Sequence, residues 1–321
     1  MTDLGQLDAA ADLVHEAIGT TPQICWPLLS ERCGAEVWVK HENHTPIGAF
    51  KLRGGLVYTA ALKRDEPNVT GVIAATRGNH GQSVASAARR HGLRAVVVVP
   101  AGNSVEKNAA MAAQGGELVE HGHDFQAAFE YAQALAADQK LHMFPSYHPL
   151  LVRGVASYAL EFFRGAPKLD TVYVPIGLGS GICGVMAARD ALKLKTKIVG
   201  VVSTEAPTYA LSFKAGKPVP TNSADTMADG LACRVPAAEA VATINTGAER
   251  IVEVTDAEIE AAIRHYFTDT HNLAEGAGAA GLAALLKERD RMLGRRVGVV
   301  LTGGNIDAAV YRRILANGER D

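Results

Sequence analysis

Lys51 is the residue whose surroundings most strongly suggest chemistry. It follows a turn formed by Pro46 and Gly48 and lies between Phe50 and Leu52. Such neighbours keep a lysine partly out of water, and desolvation disfavours the ammonium form. A neutral amine can attack a carbonyl and form a Schiff base. On this segment alone, the alternative is an ordinary surface lysine at the start of a helix.

A second candidate segment follows a continuously apolar run, Gly71–Ala75. It reads Thr76-Arg77-Gly78-Asn79-His80-Gly81 and opens a predicted helix. Its two glycines let the backbone approach a ligand, and the free N–H groups of a helix start favour an anion such as a carboxylate. Asn79 can both donate to and accept from a ligand's polar atom. A plain strand-to-helix turn with a good cap is the alternative.

A glycine-rich segment, Gly177–Gly184, also joins a predicted strand to a helix. Its backbone N–H groups suit a phosphate, and the missing Gly-Lys-Ser/Thr excludes a nucleoside triphosphate loop. However, Gly179, Gly181 and Gly184 have the spacing of a dinucleotide fingerprint, and Glu205 lies near where an acidic ribose ligand belongs. A NAD-dependent oxidoreductase is therefore a competing function, and a tight packing turn is the structural alternative.

Thr302 follows the last predicted strand, Arg296–Leu301. Ligands of open α/β sheets bind beyond the carboxyl ends of strands, where a hydroxyl could meet a heterocycle nitrogen. The four segments thus offer an amine, an Asn-bearing anion site, a phosphate cradle and a hydroxyl. Pyridoxal phosphate requires this set for its aldehyde, ring hydroxyl, phosphate and ring nitrogen. A dinucleotide enzyme would have no use for Lys51 or Asn79 at these places.

The elements that must position these residues alternate along the chain. Strands are predicted at Glu36–Lys40, Gly71–Ala75, Arg94–Val99, Thr171–Pro175, Lys197–Val202 and Arg296–Leu301, and helices at Asn79–His91, Ser104–Gln114, Phe125–Asp138, Gly181–Leu194, Asp256–Thr270 and Ala277–Arg289. This alternation predicts an α/β fold of two domains with open, mostly parallel twisted sheets flanked by helices. We expect a small domain at residues 71–147, carrying the Asn79 loop, and a large cofactor-binding domain at residues 1–70 plus 148–321, with a cleft between them.

The composition limits the function further. The chain has 321 residues, 48% of them apolar and 21% charged, which suits a full-sized core. A net charge of −2 gives no reason to expect nucleic acid or an anionic membrane as a partner. No apolar run reaches the roughly 18 residues of a membrane span, and the acidic segment Met1–Gly19 is unlike a signal peptide. We therefore expect a cytoplasmic location.

The four cysteines do not form a metal or disulfide pattern. No two of them have the C-x-x-C spacing; they are Cys25, Cys33, Cys183 and Cys233. Neither a zinc site nor a disulfide framework is therefore predicted. Reduced buried thiols fit the expected location.

Taken together, these segments resemble the fold type II pyridoxal-phosphate enzymes, the group that shares a fold with the tryptophan synthase β subunit, and specifically the threonine dehydratase and serine racemase family. The similarity runs from Thr21 to Asn305. Its motifs are Lys40-His41-Glu42-Asn43, Ala49–Gly54, Gly78–Gln82, Gly177–Gly181, Glu275–Ala279 and Thr302–Asn305. The resemblance implies pyridoxal 5'-phosphate as cofactor, a small amino acid as substrate and a homodimer.

The resemblance also implies roles for individual residues. Lys51 would hold the cofactor covalently and act as acid and base at the substrate Cα. The other cofactor contacts would be Phe50 beside the ring, Asn79 at the ring hydroxyl, Thr302 at the ring nitrogen, Glu275, and a phosphate loop of Gly177, Leu178, Gly179, Ser180 and Gly181. The substrate would contact Thr76, Arg77, Gly78, Asn79, His80 and Tyr147.

Three departures from the family pattern are Arg77, a phosphate loop that reads Gly-Leu-Gly-Ser-Gly where a glycine run is usual, and the loss of the divalent-cation carboxylates. Serine racemases carry a serine where this chain has Arg77, and a permanently charged arginine is a poor proton donor. A neutral hydroxyl at Thr302 should leave the ring nitrogen largely unprotonated, which favours β-elimination over transamination. The family's divalent-cation carboxylates are replaced by Val202 and Thr208, so we predict no metal ligands, although a monovalent cation held by carbonyls stays possible.

The predicted function is a pyridoxal-phosphate dehydratase, or ammonia-lyase, acting on a β-hydroxy-α-amino acid. The substrate would be similar to threonine or serine, or bulkier, such as phenylserine, because Tyr147 could face its side chain. Alternatively, Tyr147 only packs the domain junction. Within the family, the alternative functions are an amino-acid racemase and a dehydratase of hydroxyectoine breakdown. Outside it, the alternatives are the NAD-dependent oxidoreductase and a catalytically inactive binding protein.

Overall fold

The computed structural model describes residues 3–320. The strands are β1 (Gln23–Cys25), β2 (Glu36–His41), β3 (Gly71–Ala75), β4 (Arg94–Val99), β5 (Gly116–Glu120), β6 (His142–Met143), β7 (Thr171–Pro175), β8 (Lys197–Ser203), β9 (Arg250–Val254) and β10 (Arg296–Leu301). The helices are α1 (Leu4–Ile18), α2 (Pro27–Cys33), α3 (Lys51–Asp65), α4 (Asn79–Arg90), α5 (Val105–Ala113), α6 (Phe125–Gln139), α7 (Pro149–Gly165), α8 (Ser180–Ala191), α9 (Thr208–Ala215), α10 (Ala238–Gly247), α11 (Asp256–Thr270), α12 (Gly276–Lys287), α13 (Arg289–Met292) and α14 (Ala308–Ala316). Short 3₁₀ turns span Glu42–His44, Asp229–Leu231 and Asn317–Arg320.

The larger sheet has the strand order β1-β2-β10-β7-β8-β9. Its pairs are parallel except that of the edge strand β1 with β2. Alternate residues of β7 face opposite layers of core: Val172 and Val174 pack with α7 and α8, whereas Tyr173 packs with α11 and α12. Burial on both faces explains why the central strands read as continuous apolar runs.

The smaller sheet has the order β5-β4-β3-β6, and its pairs are all parallel. Its strands lie between residues 71 and 143, inside the segment expected to be inserted. Two open, mostly parallel sheets flanked by helices confirm the predicted fold class. The exact division into domains at residues 70 and 147 stays a prediction.

The six strands predicted from the sequence are confirmed to within a residue or two at their ends. Edge strands such as β5 and β9 escaped prediction because they are not continuously apolar: both carry charged side chains and include exposed residues. Helix α7 was also missed. It begins at Pro149, a favourable first helical residue, and its N-cap His148 accepts a hydrogen bond from the backbone N–H of Leu150.

Within residues 3–320, no helix is both long and apolar enough for a membrane crossing. The same part of the chain contains no cluster of three His, Cys, Asp or Glu side chains suited to a metal ion. The four cysteines are free thiols, and burial raises the pKa of Cys33, Cys183 and Cys233 to about 11.

Candidate active site

Lys51 lies in a cleft formed where β3, β7 and β10 end. The cleft is lined by Phe50, Lys51, Thr76, Arg77, Gly78, Asn79, His80, Lys107, Pro175, Gly177, Leu178, Gly179, Ser180, Gly181, Asp229, Gly230, Leu231, Glu275, Ala277 and Thr302. Every site residue predicted from the sequence, apart from Tyr147, is in this set. The carboxyl ends of the parallel strands β7 and β10 meet at one edge of the larger sheet, and the end of β3 in the smaller sheet faces them across the cleft.

Lys51 is the first residue of α3, and its Nζ lies 5.0 Å from the centroid of the Phe50 ring. Burial lowers the pKa of Lys51 to about 8, and the charge of Glu275 opposes that shift. A substantial fraction of the amine is therefore neutral near pH 8, as a nucleophilic lysine requires.

Backbone hydrogen bonds connect the turn before Lys51 to the end of β10. Phe50 N donates to Thr302 O at 3.0 Å, Gly304 N donates to Gly48 O at 2.9 Å, and Ala49 forms an antiparallel bridge with Gly303. Thr302 is buried. The pairing holds the lysine and the strand-end hydroxyl in a fixed mutual position.

A buried ion cluster anchors α3 two residues beyond Lys51. The Arg53 guanidinium donates to Glu42 Oε2 at 2.7 Å and to Glu161 Oε1 at 2.5 Å, and Lys40 Nζ donates to Glu161 Oε2 at 2.5 Å. Thr21 Oγ1 joins the cluster by donating to Glu42. The two cations and two carboxylates balance, which is the condition under which buried charges are tolerated.

The Asn79 loop turns directly after β3. The Thr76 hydroxyl accepts from Gly78 N at 3.1 Å, and Asn79 Nδ2 donates to Glu275 Oε1 at 2.7 Å. Burial lowers the pKa of His80 to about 3, with the Lys51 charge adding to the effect. His80 is therefore neutral, and within residues 3–320 its Nε2 has no hydrogen-bond partner.

The glycine loop is shaped so that side chains cannot enter it. A Cβ on Gly177 would lie 2.2 Å from Gly230 O, and one on Gly179, whose φ is +97°, would lie 2.7 Å from Ala240 Cβ. Helix α8 begins at Ser180, and Ser180 and Gly181 line the cleft, so the first N–H groups of the helix lie at its wall. The Leu178 carbonyl accepts a hydrogen bond from the Tyr209 hydroxyl at 2.8 Å.

Two charged residues of the cleft were not found from the sequence. Lys107 Nζ, from α5, forms an ion pair with Asp229, in the turn before α10. Burial alone would lower the pKa of Lys107, but Asp229 and the more distant Glu275 and Asp307 outweigh it and raise the pKa. Neither Lys107 nor Asp229 lies in a recognisable sequence motif. Their ion pair forms only because the two sheets approach each other at the cleft.

Tyr147 does not line the cleft, contrary to one of the two expectations for it. Its hydroxyl donates to Cys183 Sγ at 3.8 Å, and its ring packs against the core beside the larger sheet. Burial raises the pKa of this phenol. The placement agrees with the packing alternative and does not support a contact with the substrate.

The structure does not support the alternative that Gly179, Gly181 and Gly184 form a dinucleotide-binding site. A Cβ on Gly184 would lie 3.0 Å from the backbone nitrogen of Ala156, so Gly184 serves close packing of α8 on α7. Glu205 is exposed and does not line the cleft. The fingerprint spacing therefore arises from two loop glycines and one packing glycine.

The cleft fits a phosphate-bearing aromatic aldehyde. The glycine loop at the start of α8 lines the cleft and has no room for a Cβ at Gly177 or Gly179, the Asn79 amide supplies a hydrogen-bond donor, and Lys51 supplies an amine of lowered pKa. These features define a class of α/β enzyme that holds a carbonyl cofactor through a lysine between two sheets.

The family described as "Pyridoxal-phosphate dependent enzyme" matches residues 14–303, and the chain belongs to this family. Its cofactor is accordingly pyridoxal phosphate. The resemblance inferred from the motifs is thereby confirmed.

Relatives within the family include lyases of known name. An L-threonine ammonia-lyase of Thermotoga maritima is 33% identical over 321 residues, covering 99% of this chain and 79% of the relative. A biosynthetic L-threonine dehydratase of Pasteurella multocida is 32% identical over 304 residues, which are 94% of this chain. The chain spans only 59% of that relative's length.

A solved structure shows the same fold. The processed form of threonine deaminase isoform 2 from Solanum lycopersicum superposes with a TM-score of 0.90 at 28% identity, covering 98% of this chain and 94% of the other.

Proposed function

We propose that this enzyme is an ammonia-lyase that converts a β-hydroxy-α-amino acid into a 2-oxo acid and ammonia by β-elimination. The observation that carries the proposal is the pairing of one amine with a lowered pKa, Lys51, with a loop in which the second proton carrier of a racemase is replaced by Arg77. Arginine is a poor proton donor, and His80, the other ionisable side chain of that loop, has its pKa lowered to about 3. A single base suits elimination better than racemisation.

Bound pyridoxal phosphate would supply an electron sink that makes the substrate Cα proton acidic. Gly177, Gly179 and Ser180 would bind the phosphate through backbone N–H groups at the start of α8. Asn79 would donate to the ring hydroxyl, and Thr302 would offer its hydroxyl to the ring nitrogen. Phe50 would pack beside the ring.

The loop of Thr76, Gly78 and Asn79 would bind the substrate carboxylate through the first N–H groups of α4. Arg77 is exposed, lines the cleft and has no hydrogen bond or ion pair to the described residues. Its guanidinium is therefore available to an anionic group of the substrate.

Lys51 Nζ would take up the proton that leaves Cα. The Cα–H and Cβ–O bonds would break, the β-hydroxyl would leave as water by taking up the proton that Lys51 accepted, and the released enamine would be hydrolysed to the 2-oxo acid and ammonia. A lysine whose pKa is about 8 can accept a proton and return it near neutral pH.

The test is release of 2-oxo acid from serine, threonine, 3-hydroxyaspartate and phenylserine by the purified enzyme. We expect turnover of at least one of them, and its loss in Lys51→Arg, which keeps the charge. Lys217→Arg, at an exposed loop position, is the matched control and should keep full activity. A cofactor-loaded protein that releases no oxo acid from any of them would overturn the proposal.

Deuterium exchange at Cα separates elimination from racemisation. The proposal expects oxo-acid release to exceed return of deuterated substrate. Exchange with inversion and without oxo acid would instead establish a racemase.

We also propose, from the family resemblance alone, a homodimer in the cytoplasm and a monovalent cation held by backbone carbonyls. Sedimentation of the purified protein and the dependence of turnover on potassium test the dimer and the cation.

A further inference from the structure

Asn305 connects three segments that meet at the cleft. It lies beyond the end of β10, and its Nδ2 donates to Ile47 O at 2.8 Å and to Asn79 Oδ1 at 2.7 Å. An amide NH₂ carries two hydrogens, so both are used. One bond reaches the turn before Lys51, and the other reaches the first residue of α4.

The orientation of the Asn305 amide is fixed by a group that can only accept. Ile47 O is a backbone carbonyl, so the NH₂ side of Asn305 must face it. A flipped amide would set two oxygen acceptors against each other, at the penalty of unsatisfied buried groups.

The orientation of the Asn305 amide in turn determines the orientation of the Asn79 amide. Because the Asn305 NH₂ faces Asn79, Asn79 must present its oxygen there. Its own NH₂ therefore faces Glu275, whose Oε1 accepts at 2.7 Å. The Glu275 carboxyl accepts from this NH₂ when it is ionised but can donate when it is protonated. Of the two ends of this series of hydrogen bonds, only the Ile47 carbonyl requires one amide orientation under all conditions.

Two glycines leave room for the side chains of Asn305 and Glu275, which both bond to Asn79. A Cβ on Gly48, where φ is +66°, would lie 2.7 Å from Asn305 Oδ1. A Cβ on Gly303 would lie 2.5 Å from Glu275 Oε1. The loops thus accommodate the side chains that hold Asn79.

We propose that Asn305 is a positioning residue that locks the Asn79 amide so that its second N–H is presented to the ring hydroxyl of pyridoxal phosphate. Asn79 Nδ2 uses one hydrogen on Glu275 and keeps one for the ligand. Without Asn305 the amide can rotate and present its oxygen, which repels an ionised ring oxygen. Glu275 would accommodate that rotation by donating, since burial raises its pKa to about 7.

The inference rests on the family's cofactor and not on the proposed elimination, and cofactor binding tests it without any substrate. The full chain, freed of cofactor, is titrated with pyridoxal phosphate and with 3-deoxypyridoxal phosphate, which lacks the ring hydroxyl. Asn305→Asp keeps the shape but removes both donors. We expect it to weaken pyridoxal phosphate binding about tenfold, the effect of one hydrogen bond to a charged oxygen.

With the 3-deoxy ligand, we expect Asn305→Asp to change binding less than about twofold, since no ring oxygen is left to bond. In an Asn79→Ala background, Asn305→Asp should likewise have little further effect. Asn68→Asp, at an exposed turn, controls for the added charge and should leave both affinities unchanged.

Equal losses for both ligands, or effects of Asn305 and Asn79 that simply add, would overturn the proposal, because a purely structural role affects both ligands alike. Unchanged binding of pyridoxal phosphate in Asn305→Asp would overturn it as well. If the enzyme binds the cofactor as expected but releases no oxo acid, only the proposed function fails.

Discussion

Asn79 and Glu275 are 196 residues apart in the chain, yet Asn79 Nδ2 donates to Glu275 Oε1 at 2.7 Å. The bond joins the loop after β3, in the smaller sheet, to the residue before α12, which packs on the larger sheet. Burial raises the pKa of Glu275 to about 7, while Lys107, Asn79 and Lys51 act against that shift. The Glu275 carboxylate therefore accepts a hydrogen bond that positions Asn79, and its charge raises the pKa of Lys51.

Glu275→Gln should move the pH at which Lys51 becomes reactive. The negative charge of Glu275 raises the pKa of Lys51 against the effect of burial, and glutamine removes that charge while still offering an oxygen to Asn79. We expect the rate of covalent cofactor attachment, which rises with pH through about 8 in the native protein, to reach its midpoint at a lower pH. Stopped-flow absorbance measures it. Glu66→Gln, outside the cleft, should not move the midpoint, and an upward shift in Glu275→Gln would contradict the electrostatic coupling.

Lys51→Met should stabilise the cofactor-free protein while abolishing covalent attachment. Folding lowers the pKa of Lys51 from 10.5 to about 8, so the folded state binds this proton less tightly than the unfolded state. The resulting penalty is fully present below pH 8 and disappears as the pH rises beyond 10.5. We expect a gain of about 1–3 kcal/mol in the free energy of unfolding at pH 7, shrinking towards pH 10. Urea unfolding at both pH values checks this, and a gain that does not depend on pH would exclude the electrostatic explanation.

Gly179→Ala should weaken cofactor binding much more than Gly216→Ala. Both glycines have positive φ, +97° and +69°, so both substitutions strain the backbone. Only at Gly179 would the new Cβ also collide, lying 2.7 Å from Ala240 Cβ, whereas nothing lies within 4 Å at Gly216. Displacement of the phosphate loop should reduce affinity for pyridoxal phosphate by roughly tenfold or more. Equal affinities in the two variants would show that the loop tolerates a side chain.

Arg53→Met should destabilise the fold strongly. The substitution leaves Glu42 and Glu161 buried without the guanidinium that both of them contact, and breaking a buried ion pair from one side costs about 3–5 kcal/mol. Arg94→Met, which removes the exposed pair with Glu117, is the control and should cost at most about 1 kcal/mol. Chemical unfolding of both variants measures the difference. Similar losses would mean that the buried cluster is not held by its charges.

Arg77→Ser should shift the balance from elimination towards proton exchange. The exposed arginine lines the cleft beside Gly78, at the position where the family resemblance leads us to expect a serine in serine racemases. A hydroxyl there can exchange a proton, which a guanidinium cannot do readily. We expect more deuterium at Cα of recovered substrate per oxo acid released, measured by mass spectrometry. Arg77→Lys is the control and should not raise this ratio, and an unchanged ratio in Arg77→Ser would count against the one-base explanation.

Much of the fold could be predicted because central parallel strands have a strong local signal. β3, β4, β7 and β10 are apolar along their length since helices cover both faces. The edge strand β5 lacks that signal, because two of its five residues are exposed and none is fully buried. Helix α7 was missed for a different reason: its burial depends on packing against α3 and α8, which no pattern within its own residues shows.

The sequence by itself determined the chemistry of the site. Lys51, Asn79, the glycine loop and Thr302 are local signals, since each follows a turn or a strand end whose backbone needs particular residue types. The convergence of the glycine loop and Thr302 follows from their strands, because β7 and β10 are parallel neighbours whose carboxyl ends share one edge of the larger sheet.

Only the tertiary structure decided which side chains touch across the cleft. The bonds of Asn79 to Glu275 and Asn305, the ion pair of Lys107 with Asp229, and the turning of Tyr147 into the core all depend on how the two sheets pack. Such contacts join residues far apart in the chain, and no periodicity or spacing records them. The sequence therefore defines the reacting groups, and packing defines their orientation and pKa.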